Sequence, residues 1–592
     1  MSLISEIWGL FKVLDAPMQY IMIFTSCWFF VLLVFALKVK WNKENVFTVL
    51  AFIPVINYII FYLFNYTKGD IVLGLDRHGT YGIIAVLYCV LCMFYAKRKK
   101  KKWPMVLNAV TAFCITIWSF VYVIFFGSHF SNFSRMGYRD SIASLIDELE
   151  QNYVLRDHKA IDFDDLRYRY IPLAEEAEKN KDREAFAVVV ANLCYEFHDR
   201  HVDFVISDQP LWEAVEKDMS GNDYGFSMIG RDDGKTVAVL VDSNGEAYGK
   251  GLRSGMVITG WNGQDIDEAI SEVRCVSSGG VISNFPIAET EDLFRPVYLS
   301  TMGGDVLNVR FIGSNETEQE ITVKSIGDGD LRRSQAVKPL TGCSHLIKAN
   351  YDLQFAYTEM LDDHCGYLYI PREFYNVLRD RPAAMRDEYP MVKDHLISRI
   401  EELKAKGMDS LVIDIRGNIG GFPVICEEII SLFTNEEIVM YKGVYDGKEM
   451  RKNKEYKVKP DGRYSDLPVV VLTNSGCGSG GDILAYYLSR CPNVTLMGVT
   501  TSVHSAQAMG AECLLTDSFI TVYYPMFSTL DSDGSVLIDP GKDRKGSIEL
   551  DEKIPLDKET IGYLYNDGEN PWIDYEADYA RKYLNKKKDL EV

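Results

Sequence analysis

The sequence predicts a multi-domain chain: an N-terminal four-helix transmembrane region, then a helical segment, a β-rich module and a C-terminal α/β core. Three observations lead to this fold class. The first 130 residues are basic and contain long uncharged stretches, short strand patterns dominate the middle, and apolar strands alternate with helices after residue 366. The predicted segments are 1–130, 131–215, 216–330, 331–565 and a tail at 566–592.

Charge separates the head of the chain from the rest. The 592 residues carry a net charge of −21, but residues 1–130 hold 12 Lys and Arg against 5 Asp and Glu, so the remainder carries −28. Nucleic-acid binding depends on cations that neutralise phosphates, so we expect no nucleic-acid partner for such an acidic chain. With 47% apolar residues, the chain is also too apolar to be disordered.

Four stretches of the head lack Lys, Arg, Asp and Glu. They comprise 22, 23, 19 and 32 residues, and a helix needs about 20 apolar residues to cross a bilayer. A buried helical hairpin of a soluble domain is the alternative, but four successive stretches make it a poor explanation. The first stretch is too long for the apolar part of a signal peptide. The predicted spans are about 17–37, 46–66, 79–96 and 104–127.

The charges of the connecting loops predict the orientation of these spans. The first loop contains Lys38, Lys40 and Lys43, and the third loop is the basic run 97–102. Both loops are short, so the positive-inside rule places them in the cytoplasm. A lipid or nucleic-acid patch is the second explanation of the basic run. We therefore predict a multi-pass plasma-membrane protein, with the lipid bilayer as a partner and residues after about 131 extracytoplasmic.

Helical and strand patterns follow the head in turn. Across residues 138–204 apolar side chains recur every three or four positions, which predicts helices, and Asp162 with the acids after it is typical of a helix start. From 222 to 326 the pattern predicts short strands, with a hairpin turn at 262–263. Residues 268–304 have no regular pattern and are predicted to be an insertion.

The C-terminal core begins with the strand pattern at residue 366. Its strands are continuously apolar, as expected when helices cover both faces of a parallel sheet. In such sheets, active residues lie in the loops just beyond the carboxyl ends of the strands. The predicted strands are 366–370, 410–415 and 468–473, and the predicted helices are 391–406, 423–433 and 482–490.

Two of these strands lead into helices through glycine-rich loops. One loop, 416–421, reads Arg-Gly-Asn-Ile-Gly-Gly, and the other, 474–482, reads Asn-Ser-Gly-Cys-Gly-Ser-Gly-Gly-Asp. Gly permits a sharp turn and leaves N–H groups open to a ligand. Ser479, in such a turn before a helix, is a candidate nucleophile. A plain turn or a phosphate cradle is the alternative, although neither loop has the P-loop pattern.

Residues 138–557, about 70% of the chain, resemble the tail-specific (C-terminal processing) serine peptidases, in particular their tricorn-core branch. The run 414–421 resembles the D-x-R-x-N-x-G-G signature of that family. The run 478–482 resembles its nucleophile turn, in which the Ser lies three residues before an acid. Residues 224–226 with 247–263 resemble its PDZ-like module. The resemblance implies a crotonase-like α/β peptidase core that carries a PDZ-like module.

The resemblance also implies roles for single residues. Ser479 matches the nucleophile, which needs a base within hydrogen-bond reach. The lysine-using branch has its Lys 25 positions after the Ser, where this chain has His504. The tricorn-like branch takes a His from the helical segment, and 197–202 resembles that stretch, with His201 on the His. We expect His201 to be the general base; His504 is the alternative, as base or as a residue lining the pocket.

Backbone N–H groups are the implied oxyanion donors. Gly480 follows the nucleophile and matches one donor, and Gly420 or Gly421 matches the other. The group that orients the base stays open. Glu549 and Glu552 are candidates, although either one alone is better explained as part of a solvated acidic loop.

The PDZ-like module would bind an extended peptide by strand addition, with its backbone N–H groups holding the C-terminal carboxylate of the peptide. A module that only packs on the core is the alternative. Twelve cysteines are scattered without a metal-like spacing, so thiols and disulfides both stay open. No metal or organic cofactor is implied. The expected substrate-binding residues are Tyr224, Gly225 and Phe226.

These expectations combine into a membrane-anchored extracytoplasmic serine endopeptidase that cleaves protein or peptide substrates by acyl transfer. The alternative is a catalytically inactive, membrane-tethered peptide-binding receptor or scaffold, because the Lys of one branch is absent and the third catalytic residue is unidentified. A transporter is less favoured, since the spans contain no ionisable side chain of the kind that ion pathways often use. The pattern predicts neither cleavage specificity nor oligomeric state.

Overall fold

The computed structural model of the chain describes most residues from 129 onward and short pieces before them. The pieces of the head are 70–72 and parts of 89–114. The other described residues are 129–276, 284–343, 355–375, 380, 388–445, 448–449, 455–516, 519–565 and 574–591.

The predicted four-span anchor is contradicted. Within the described residues, no helix combines the length and the apolar composition needed to cross a membrane. A span needs about 20 residues of continuous apolar helix. The predicted spans 17–37 and 46–66 lie outside the described residues. The multi-pass plasma-membrane location and the bilayer partner depended on these spans, and the same finding contradicts the predicted location.

The head instead contributes a strand. Strand β1 (Asp70–Val72), in the predicted loop between the second and third spans, pairs antiparallel with β2 (His129–Asn132). The helical segment after β2 is confirmed. Asp162 caps its second helix by accepting the amide of Asp165, which a short acidic side chain at that position favours. The elements of this segment are α1 (Tyr138–Asn152), α2 (Phe163–Asn180), α3 (Arg183–Tyr195), β3 (Asp203–Ile206) and α4 (Gln209–Ser220).

The strand-rich module follows, and its hairpin turn at 262–263 is confirmed. The segment 268–304 is more regular than predicted. It contains a helix whose buried Phe294 stacks on Phe285, with 5.3 Å between ring centroids. The elements are β4 (Asn222–Asp223), β5 (Ser227–Gly230), β6 (Thr236–Val239), α5 (Glu246–Gly249), β7 (Ile258–Trp261), β8 (Gln264–Asp265), α6 (Ile266–Ser271), α7 (Ala288–Leu299), β9 (Val306–Ile312), β10 (Glu318–Lys324) and β11 (Gly327–Asp328).

The α/β core is present as predicted. The elements up to the second glycine-rich loop are α8 (Asp330–Thr341), β12 (Tyr357–Met360), β13 (Cys365–Tyr369), α9 (Pro390–Lys404), β14 (Ser410–Asp414), α10 (Pro423–Ser431), β15 (Ile438–Tyr445), β16 (Lys448–Glu449), β17 (Glu455–Val458) and β18 (Val469–Leu472). The elements after it are α11 (Gly480–Leu488), β19 (Val494–Gly498), β20 (Ala508–Leu514), β21 (Ile520–Leu530), β22 (Glu552–Lys553), α12 (Lys558–Leu564) and α13 (Tyr575–Glu591).

Two β-sheets determine the positions of the glycine-rich loops and of the segment that contains His201. The first has the strand order β12-β13-β14-β18-β19-β22 and is parallel except at β12. Strands β14 and β18 are adjacent, so the two glycine-rich loops after them lie side by side at the carboxyl edge. The second sheet has the order β1-β2-β20-β21-β15-β16, and β3 pairs with β21. That pairing brings the segment just before β3 to the core.

Candidate active site

Ser479 lies at the turn where the chain passes from β18 toward α11. Its backbone has φ 57° and ψ −120°, a conformation that costs a non-glycine residue about 1–3 kcal/mol and is concentrated at functional sites. Its amide donates to the Ser505 carbonyl oxygen and to Asp482 Oδ2, each at 3.0 Å. Ser479 is partly exposed. The turn therefore holds a hydroxyl at the start of a helix in a strained backbone conformation.

The buried carboxylate of Asp482 holds this turn against the loop 502–505. Its Oδ1 accepts the amide of His504 at 2.9 Å, and its Oδ2 accepts the amide of Ser505 at 2.8 Å. Hydrogen bonds to an ionised acceptor are roughly twice as strong as neutral ones. The acid three residues after Ser479 thus fixes the position of the turn.

His201 is brought to the same loop by the pairing of β3 with β21. Its Nδ1 lies 3.1 Å from Ser505 Oγ, and its amide donates to Asp199 Oδ1 at 2.9 Å. Ser505 also accepts the Ser479 amide through its carbonyl oxygen. One residue is therefore hydrogen-bonded both to the candidate base and to the candidate nucleophile.

The hydrogen bonds around Ser505 indicate the tautomer of His201. The Ser505 hydroxyl donates to Asp199 Oδ1 at 2.9 Å, so its oxygen is left to accept the proton of His201 Nδ1. Nε2 then carries the lone pair that a general base needs. Burial lowers the pKa of His201, and the negative charges of Asp199 and Asp482 partly offset this effect. The imidazole is therefore neutral at neutral pH.

His504, the alternative base, is engaged on both ring nitrogens. Nδ1 lies 2.9 Å from the Ser502 carbonyl oxygen, and Nε2 accepts the Ile548 amide at 2.7 Å. The side chain is fully buried, and burial lowers its pKa. This ring braces the loop beside the nucleophile turn and has both nitrogens occupied.

Gly420 and Gly421 lie directly against the nucleophile turn. A β-carbon on Gly420 would lie 2.7 Å from Ser479 Cβ and 2.5 Å from the Gly480 nitrogen, and one on Gly421 would collide with a neighbouring carbonyl. The Gly420 amide donates to Asn418 Oδ1 at 2.8 Å. The amides of Gly421 and Gly480 have no acceptor among the described residues. Of the three predicted oxyanion donors, these two are open.

The D-x-R part of the first motif forms a buried ion cluster with the C-terminal segment. The Arg416 guanidinium, 4% exposed, donates to Asp414, to Asp574 at 2.6 Å and to Glu576 at 2.8 Å. Asp574 directly precedes α13 and Glu576 lies in its first turn. The cluster therefore fastens α13 to the loop that continues into Gly420 and Gly421.

This cluster does not fit a metal ion. Ligand atoms of Cys343, Asp414 and Asp574 lie within 4.8 Å of one another, a spacing that a cation could use. Arg416 Nη2, however, contacts all three, at 3.7, 2.5 and 2.6 Å respectively. The guanidinium supplies the positive charge there. The ten cysteines that the structure describes are all buried.

We expect Arg416→Met to lower the free energy of unfolding by about 3–5 kcal/mol, because three acids would remain buried without a counter-charge. Urea denaturation followed by circular dichroism measures the change. Arg581→Met is the matched control. Arg581 pairs with Asp578 and Asp362 while 25% exposed, so its loss should cost about 0–1 kcal/mol. Equal losses in the two variants would contradict the importance given to the buried cluster.

Tyr224, Gly225 and Phe226, predicted to bind the peptide tail, lie in the interior of the module. The Gly225 amide donates to Asp223 Oδ1 at 2.7 Å. Tyr224 donates its hydroxyl to the Gly304 carbonyl at 2.7 Å, and both aromatic side chains are buried. The Gly225 amide is therefore occupied and not open to a carboxylate.

Sequence reasoning missed the groups that surround the base. Asp199 Oδ2 accepts the hydroxyl of Tyr153 at 2.7 Å, in addition to its contacts with His201 and Ser505. Asp199 lies two residues before the predicted base, which is a signal that could have found it. Ser505 follows the alternative base His504 by one position, but no pattern distinguished it.

A second buried carboxyl, Asp539, was also missed. Its Oδ2 accepts the Ala506 amide and the Gln507 side chain, each at 2.8 Å. Burial, together with the negative charge of Asp199, raises the pKa of Asp539 above its ordinary value. The two acids considered from sequence lie elsewhere. Glu549 is exposed, and Glu552 is in the edge strand β22.

Residues 366–538 match the sequence profile of peptidase family S41. The carboxy-terminal processing protease CtpA of Bacillus subtilis (strain 168) is 33% identical over 106 residues, which are 18% of this chain and 22% of the relative. The match thus spans about a fifth of that relative. Mature CPAF aligns with a TM-score of 0.47 and 13% identity, covering 72% of this chain and 94% of CPAF. The tricorn protease aligns with a TM-score of 0.32 and 16% identity, covering 76% and 37%.

The family match covers both glycine-rich loops and Ser479, and it ends before the candidate acids Glu549 and Glu552. It does not extend to the module at 216–330. The family resemblance inferred from the motifs is confirmed for the region in which those motifs lie. The sequence match and the two loops together indicate that residues 366–538, which are similar to peptidase family S41, form a serine-type peptidase domain.

Proposed function

We propose that the chain is a serine endopeptidase that cleaves peptide bonds in protein or peptide substrates. One observation carries the proposal. A serine in a strained turn at a helix N-terminus shares Ser505 as a hydrogen-bond partner with a buried, neutral imidazole from a distant segment. Such a hydroxyl is a weak nucleophile until a base can take its proton, and the imidazole of His201 is in the protonation state for that task.

In the first half of the proposed reaction, Ser479 Oγ attacks the carbonyl carbon of the substrate while His201 Nε2 takes the hydroxyl proton. The carbonyl oxygen becomes an oxyanion that accepts hydrogen bonds from the amides of Gly480 and Gly421. One such donor typically lowers the barrier by about 3–4 kcal/mol. The imidazolium then gives its proton to the leaving amine, and the peptide C–N bond breaks to leave an acyl-enzyme.

In the second half, water attacks the ester carbon of the acyl-enzyme and His201 again takes the proton. Collapse of this intermediate returns the proton to Ser479 Oγ and releases the new carboxyl terminus. Throughout, Ser505 and Asp199 hold the imidazole through Nδ1. The carboxylate of Asp199 stabilises the imidazolium through the Ser505 hydroxyl, which it orients.

Peptide binding is proposed along the loop 418–422 rather than at Gly225, whose amide is occupied. Ile419 is 67% exposed beside the two glycines. Phe374 stacks on Phe422 on the other side of them, with ring centroids 6.2 Å apart. The exposed side chains of Ile419 and Phe374 favour substrates with apolar residues near the cleaved bond. The relative in Bacillus is a carboxy-terminal processing protease, so peptides cleaved near their C-termini are the first substrates to assay.

The test is reaction of the full chain with a fluorophosphonate probe, followed by mapping of the adduct by mass spectrometry. We expect one adduct, on Ser479, because only an activated hydroxyl displaces the fluoride at a useful rate. Urea-unfolded protein is the control and should remain unlabelled. Peptide binding without an adduct would contradict the peptidase proposal and favour the receptor alternative.

A further inference from the structure

Glu373 holds the first glycine-rich loop, 416–421, through both its main chain and its side chain. It lies after β13 and forms a parallel bridge with Gly421. Its amide donates to the Gly420 carbonyl at 3.1 Å, and its carbonyl accepts the Phe422 amide at 2.6 Å. Its Oε1 accepts Asn418 Nδ2 at 2.6 Å. These contacts fix the segment that presents the open amide of Gly421.

The second carboxyl oxygen of Glu373 lies close to both proposed oxyanion donors. The position that a β-carbon on Gly480 would take is 3.0 Å from Glu373 Oε2 and 2.8 Å from the Gly421 nitrogen. Glu373 is fully buried, and Oε2 has no hydrogen-bond partner among the described residues. A buried carboxylate oxygen without a partner is costly, whereas a neutral carboxyl is tolerated.

The groups that face Glu373 do not neutralise a charge on it. They are Asp482 from the first turn of α11, Cys426 from α10 and Cys477 from the nucleophile loop. No cation of the described residues acts on the carboxyl, and burial raises the pKa of both thiols. Burial, with a smaller contribution from Asp482, raises the pKa of Glu373 to about 7, although the Asn418 hydrogen bond opposes the shift.

We propose that Glu373 is a positioning residue that supports peptide hydrolysis only while its carboxyl is neutral. In that form it holds the loop of Gly421 in place. Loss of the proton puts a negative charge behind the two amides that receive the oxyanion, and like charges at such short range oppose each other. The inference rests on the proposed function. It adds an alkaline limit on activity that His201 and Ser479 alone would not impose.

The test is the pH dependence of kcat between pH 5 and pH 9.5 for the full chain and for Glu373→Gln. Gln has the shape of a neutral carboxyl and cannot ionise. We expect kcat of the unsubstituted protein to fall above a midpoint near pH 7, and Glu373→Gln to remove this fall, with about tenfold or more higher relative activity at pH 8.5. The exposed Glu320→Gln is the control and should keep the fall.

Several outcomes would overturn the inference. One is an unsubstituted enzyme whose kcat stays flat to pH 9.5, which needs no variant to detect. Another is a fall that persists in Glu373→Gln, which would assign it to another group such as Asp539. A uniform loss of kcat at all pH values in Glu373→Gln would show a role in folding alone.

The titration of Glu373 can also be followed without catalysis, in a Ser479→Ala background. A carboxyl whose pKa is raised in the folded state stabilises the fold below its ordinary pKa of 4.5, and that contribution is lost as the pH rises through about 7. Thermal midpoints should therefore fall over this range, and less so when Glu373→Gln is added. If they do while the unsubstituted chain shows no Ser479-dependent hydrolysis, the proposed function has failed and the buried titration stands. If hydrolysis is present but Glu373→Gln changes neither profile, only the inference has failed.

Discussion

Ser479→Ala is expected to reduce kcat for peptide hydrolysis by roughly 10⁴-fold or more, to the level supplied by the amides and by binding. The acyl-enzyme requires the hydroxyl oxygen of Ser479, which the variant lacks. The backbone contacts of the turn use the Ser479 amide and the Asp482 carboxylate, so the variant keeps them. Kinetics on a fluorogenic peptide measure the loss, and a thermal melt confirms that the variant is folded.

Ser532→Ala serves as the control for Ser479→Ala. Ser532 is exposed in the turn before the end of the matched region, and its substitution should leave kcat unchanged. Activity of Ser479→Ala above a few percent of the unsubstituted level would remove Ser479 from the role of nucleophile.

His201→Gln is expected to lower kcat by about 10³- to 10⁴-fold with little change in KM. Gln can still reach the Ser505 hydroxyl but cannot take a proton from Ser479. Because burial lowers the pKa of His201, the activity of the unsubstituted enzyme should persist below pH 6.5 and be lost only as the pH falls through that lowered value. Steady-state kinetics across pH 4–8 test both statements.

Substitution of two other histidines tests whether the loss of activity is specific to His201. His364 has a side chain that is 62% exposed, so His364→Gln should have no effect on kcat. His504→Gln would disturb the bonds to Ser502 and Ile548, so we expect mainly a lower melting temperature. A larger loss of kcat per folded molecule in His504→Gln than in His201→Gln would contradict the assignment of the base.

Local patterns sufficed for many elements of the core. The continuously apolar strands at 410–414 and 469–472 and the hairpin turn at 262–263 lie where the residues predict them, because strand burial and turn chemistry are set by neighbours in the chain. The helix 288–299 was missed, because its Pro296 interrupts the helical pattern and its buried face becomes evident only when it packs in the module.

The error in the head has a physical cause. A run without charged residues shows only that its side chains can be removed from water. The prediction went further and interpreted each run as a transmembrane helix of about 20 residues. Pairing of 70–72 with 129–132 depends on partners nearly 60 positions apart. Local sequence patterns do not predict pairing between segments so far apart.

Some features of the candidate site could likewise be predicted from the local sequence, and others depend on the tertiary structure. The turn at Ser479 and its acid at Asp482 follow from the residue order, since a tight turn between a strand and a helix constrains its own few residues. The need for glycine at 420 and 421 comes from packing, because β-carbons there would collide with the nucleophile turn and with the Glu373 carbonyl. Other features are evident only in the tertiary structure. Both ring nitrogens of His504 are hydrogen-bonded, and the Gly420 amide donates to Asn418. Asp199 and Ser505 contact each other next to the candidate base, and Glu373 pairs with the loop of Gly421. These contacts join segments up to 306 residues apart. Their geometry exists only once β3 has paired with β21 and the two glycine-rich loops lie side by side.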